Sequence, residues 1–144
     1  MQIQRLLVLA GEELPGIEEV PPGVRTLLEA AAEVFVVAPT RPSRLHWLYS
    51  DVEDDRMHAD ERLASVLGAL RSVGVKADGE VGADIPSLAI GDAIRKFEPD
   101  HVVCMIRHAE HGDWKLLERT EREFGVPMTL FEPTDTQISA STRG

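Results

Sequence analysis

The stretch from His101 to Trp114, HVVCMIRHAEHGDW, gathers more side chains capable of chemistry than any other part of the chain. His108, Glu110, His111 and Asp113 stand almost side by side in it. Imidazoles and carboxylates bind zinc and exchange protons near neutral pH. Zinc sites, however, draw spaced ligands from rigid elements, and the contiguous His-Ala-Glu-His matches no usual spacing. Acid–base or nucleophilic catalysis would need a serine, a cysteine or a paired carboxylate presented beside the histidines, and the one cysteine of the stretch, Cys104, falls inside the preceding strand run. The cluster therefore reads as a solvated loop. No catalytic residue and no metal ligand is assigned, and an enzyme is not the expected function.

The cations carry a clearer signal. In a chain of net charge −10, Arg41, Arg44 and His46 fall in one segment, and Arg107, His108, His111 and Lys115 in another. Each segment follows an apolar, strand-like run. In parallel α/β sheets, ligands bind where strand ends pass into helices. The two segments together suit a phosphate or carboxylate, and a helix starting after Gly112 and Asp113 would add its dipole. Neutralisation by Asp51, Glu53, Asp54 and Asp55 is the competing reading. The two tryptophans, Trp47 and Trp114, each occupy one of these segments. An indole there either packs the loop onto the body or stacks on a ring such as adenine.

The elements that must position these residues alternate along the chain. Ile3–Ala10 is an apolar run that ends at the turn formers Gly11, Pro15 and Gly16. Pro21 and Pro22 open a helix to about Ala32, after the acidic pair Glu18 and Glu19, with Val24, Leu27, Leu28 and Ala31 on one face. Glu33–Pro39 is a second strand. Ser50 with Glu53 resembles a capping box, and the helix it opens runs to Gly74 with Leu63, Val66, Leu67, Leu70 and Val73 inward. Val75–Val81 alternates like an edge strand. A helix capped by Asp84, with Pro86 in its first turn, buries Leu88, Ile90, Ile94 and Phe97. His101–Ile106 is the fourth strand. Trp114, Leu117, Thr120 and Phe124 mark a helix that starts around Trp114 and ends at Gly125, and Val126–Phe131 is the fifth strand. This β-α alternation with short connections predicts one parallel sheet covered by helices on both faces.

Length and composition set limits. A chain of 144 residues is long enough for one domain with a real core. The charge of −10 argues against general nucleic-acid binding, which needs clustered cations. No apolar run approaches the roughly 20 residues that cross a bilayer, so no membrane partner is expected. The N-terminal run lacks the length and cleavage site of a secretory signal, which points to the cytoplasm. The single cysteine, Cys104, excludes an internal disulfide and sits in the fourth strand as a small hydrophobe.

The order of elements and several stretches resemble the universal stress protein family of adenine-nucleotide-binding α/β domains. The similarity spans about Gln4 to Pro133. It is carried by VKADGEVGADIPSLAIGDAIRKFEPDHVVCM, by VAPTRPSRLHW after the second strand, and by HGDW before the fourth helix. The resemblance implies a doubly wound five-stranded parallel sheet of order 3-2-1-4-5 spanning 1–133, a crevice between strands one and four, and often a homodimer joined through strand five. Residues 134–144 form a polar tail expected to be disordered. ATP-binding members place an Asp at the end of strand one, where this chain has Ala10 followed by Gly11. Their first two phosphate-loop glycines fall on Met105 and His108, and the later Gly-Ser or Gly-Thr is missing. The implied ligand site comprises Ala10, Gly11, Ala38, Met105 and His108, joined by Arg41, Arg44, Trp47, Arg107, Gly112 and Trp114. A small anion, with ATP or AMP as candidates, is the expected ligand. The alternative is a ligand-free homodimeric interaction module whose nucleotide pocket has degenerated.

Overall fold

The computed structural model describes residues 3–11, 13–14, 16–40, 52–82, 86–106 and 111–132. Five strands form one parallel sheet: β1 (Ile3–Ala10), β2 (Ala31–Ala38), β3 (Ala77–Val81), β4 (His101–Met105) and β5 (Met128–Phe131). Their order is β3-β2-β1-β4-β5, as expected. Among the described residues four α-helices alternate with them: α1 (Pro22–Ala30), α2 (Val52–Arg71), α3 (Pro86–Phe97) and α4 (His111–Phe124), and a short 3-10 turn, Ile17–Glu19, precedes α1. The expected domain boundary at 133 and the tail after it lie outside the described residues.

Alternation along the strands builds two cores. Leu6, Val8 and Ala10 of β1 join Val24 and Leu28 of α1 and Val66 and Leu70 of α2 on one face. Leu7 and Leu9 join Ile90 and Ile94 of α3 and Leu117 of α4 on the other. A central strand buried on both faces must be apolar at every position, which is why Leu6 to Ala10 reads as an unbroken run. Gly74 and Gly125 stop α2 and α4 with φ of +84° and +67°, a backbone that residues with a Cβ rarely adopt. Beyond Gly74, Val75 N–H returns to the Leu70 carbonyl at 3.1 Å.

Several boundaries and faces differ from expectation. α1 ends at Ala30 and β2 begins at once with Ala31, paired to Ile3. α4 starts at His111, a turn earlier than Trp114, so Gly112 lies within its first turn rather than before it. Glu18 and Glu19 belong to the separate 3-10 turn. Val73 lies past the end of α2 and is exposed, and Leu88 is 53% exposed. Two residues along a helix turn through about 200°, so burying Ile90 points Leu88 outward. The proposed cap Ser50 and the cap Asp84 lie outside the described residues.

The N-terminal edge is closed by one carboxylate. Asp100 Oδ2 accepts the backbone N–H groups of Gln4 and Arg5, and the Arg5 guanidinium donates to the Phe97 carbonyl at 2.9 Å. The two outer strands differ. β3 carries Asp78 and Glu80, the latter paired with Lys96 at 2.8 Å, whereas β5 carries no charged residue.

Candidate functional site

Strand order reverses at β1, whose chain continues to β2 on one side while β4 lies on the other. Such a switch point opens a crevice at the C-terminal strand ends. Four expected site residues lie at these strand ends. Ala10 and Met105 are register partners at the last rungs of β1 and β4. Gly11 N–H donates to the Met105 carbonyl at 3.0 Å, so the two strands stay joined one residue beyond the sheet. A Cβ on Gly11 would stand 2.6 Å from that same oxygen, so only glycine fits without a shift. Ala38 closes β2.

These residues are floor rather than wall. Ala10 and Ala38 have no exposed surface, and Met105 is 1% exposed within the core on the α1 and α2 face. Any contact they make with a ligand runs through the backbone or through the shape they give the floor.

The strand ends are stitched together by side chains that the sequence reading overlooked. Arg62 of α2 is buried, and it donates from Nε to the Ala10 carbonyl at 3.3 Å and from Nη2 to the Pro39 carbonyl. It thereby ties the end of β1 to the residue after β2. Thr40, fully buried, donates its hydroxyl to the Gly82 carbonyl at 3.0 Å, and Gly82 N–H donates to the Ala38 carbonyl at 2.7 Å. On the other side Ile106 N–H donates to the Phe131 carbonyl at 3.2 Å. The bonds form a belt from β3 to β5. The signal for Arg62 was present in the sequence. It stands at helical spacing with the buried Ala59, Val66 and Ala69, a cation on an apolar line.

Trp114 lies in the first turn of α4 and is half-exposed. With half its surface exposed it is no core anchor, and the loop before it lies outside the described residues. Leu117 and Thr120 take the buried face, and Phe124 meets α3 through the Arg95 guanidinium, 5.2 Å from its ring centroid. Trp114 is turned about 60° from Leu117 around the helix axis. Arg41, Arg44, His46, Trp47, Arg107, His108 and Glu110 lie outside the described residues. Gly112 is placed as a helical residue of α4.

Away from the strand ends, two groups among the described residues have shifted proton affinities. Burial pushes the Cys104 thiol up to about 12. His101, at the start of β4, shares a 2.8 Å hydrogen bond through Nε2 with the Thr129 hydroxyl. Desolvation lowers its pKa, against a smaller opposing pull from Glu121. Among the described residues no group of three His, Cys, Asp or Glu side chains stands close enough to hold a metal, and no helix is long and apolar enough to cross a membrane.

The elements and their order define a doubly wound, five-stranded parallel α/β domain, a fold shared with a solved universal stress protein family structure. The chain superposes on a universal stress protein family protein from Arabidopsis thaliana, solved with AMP bound, with a TM-score of 0.56 and 13% identity. The match covers 92% of this chain and 93% of that one. A second solved structure, of a hypothetical protein, matches with a TM-score of 0.57 and 14% identity over 92% of this chain and 99% of the other. No family model and no curated protein matches the sequence. The likeness lies in the fold.

Proposed function

We propose that this domain binds a small anionic ligand, with AMP and ATP as leading candidates, at the C-terminal ends of β1 and β4, and serves a regulatory, stress-related role without rapid turnover. The observation that supports this most directly is the strand-order reversal beside β1, in a fold whose Arabidopsis example holds AMP. Ala10, Gly11, Ala38 and Met105 supply the floor. Arg41, Arg44, Arg107 and His108, which follow β2 and β4 in sequence, supply the charge, Gly112 a helix-terminal N–H, and Trp47 and Trp114 apolar flanks. The test has two arms. Freshly purified protein is denatured and the supernatant assayed for nucleotide. In parallel, the melting temperature is followed with phosphate, AMP and ATP. A ligand at 100 times its dissociation constant adds about 2.7 kcal/mol. Arg44→Ala and Arg107→Ala should each weaken the anion that binds. If nothing co-purifies and no anion raises the melting temperature, the reading falls.

The burial of Met105, Ala10 and Ala38 favours a second reading, a ligand-free homodimeric module whose pocket has closed. The uncharged edge of β5 is the natural meeting surface for two copies. A dimer by sedimentation velocity that no anion stabilises selects this reading, and a monomer stabilised by an anion excludes it.

A further inference from the structure

We draw no further inference here: the strongest candidate, the uncharged outer edge of β5, where Glu121 accepts the Met128 N–H at 3.3 Å, is the meeting surface of the two-copy reading already described, and nothing in the structure shows what else covers it.

Discussion

Replacing Gly11 by alanine tests whether the crevice floor is as tightly closed as the geometry says. The new methyl would stand 2.6 Å from the Met105 carbonyl oxygen, and its next neighbour, Ile106 Cγ1, would be 3.5 Å away. The offending atom is backbone, held in register by the Leu9–Cys104 and Ala10–Met105 rungs, so relief requires the ends of β1 and β4 to part by several tenths of an ångström. Parting stretches the 3.0 Å bond from Gly11 N–H to the same oxygen. Overpacking of this kind costs about 1–3 kcal/mol, and a weakened buried hydrogen bond about 1 kcal/mol more. A stiffer unfolded chain returns roughly 0.4–1 kcal/mol. The net loss is about 1–3 kcal/mol. At about 3 °C per kcal/mol for a domain this long, the melting temperature should fall by roughly 3–9 °C. Gly68→Ala in α2 is the matched control, because nothing lies within 4 Å of its new methyl. Helix propensity there gives a gain of about 0.5–1 kcal/mol. Urea unfolding of both variants supplies the comparison. If Gly11→Ala is as stable as the parent, or shifts in the same direction as Gly68→Ala, the closed floor is refuted.

Three further outcomes follow from named groups. Arg62→Met removes the donor shared by the Ala10 and Pro39 carbonyls and should cost about 2–4 kcal/mol in chemical denaturation; a loss below about 0.5 kcal/mol would show that the belt holds nothing. Cys104, buried with its thiol raised to about 12, should resist a thiol reagent at pH 8 and react only on adding denaturant; rapid native-state labelling would contradict its place in β4. His101 has a folded-state pKa below its ordinary 6.5, so the unfolded chain binds its proton more readily. Its contribution is therefore intact above 6.5 and declines as pH falls from there through the lower folded value. The stability difference between the parent and His101→Gln should shrink as pH falls through that window, and a difference that does not vary with pH would sink the argument.

Much of the architecture was legible because parallel sheets write plainly in sequence. Ile3–Ala10 and His101–Met105 are near-continuous apolar runs, since both faces of a central strand are covered. Gly74 and Gly125 marked helix ends because only a left-handed residue closes them cheaply. The junction of α1 and β2 was not legible, since Ala30 and Ala31 carry no turn signal and the boundary is set by pairing with Ile3. Leu88 shows a different limit. Hydrophobicity placed it inward, but the stripe through Ala89, Ile90, Ala93 and Ile94 had already fixed which side faces the sheet. Ala10, Gly11 and Met105 were singled out through the family resemblance, and the structure places them at or just beyond the last rung between β1 and β4. Arg62 was missed because it reaches the strand ends from α2, and its partners are carbonyls that every residue possesses.

The unlike outer strands bear on what association can become. A sheet that grows by adding copies needs a usable edge on both sides of every copy. β3 presents Asp78 and Glu80, and carboxylates on an outer strand resist the approach of another backbone. β5 has no such guard. A chain joined to its like through β5 has spent its one permissive edge and offers only guarded ones to the next arrival. Association of this kind terminates itself at two copies, and an unending ribbon is blocked by two acidic side chains on the far side of the molecule.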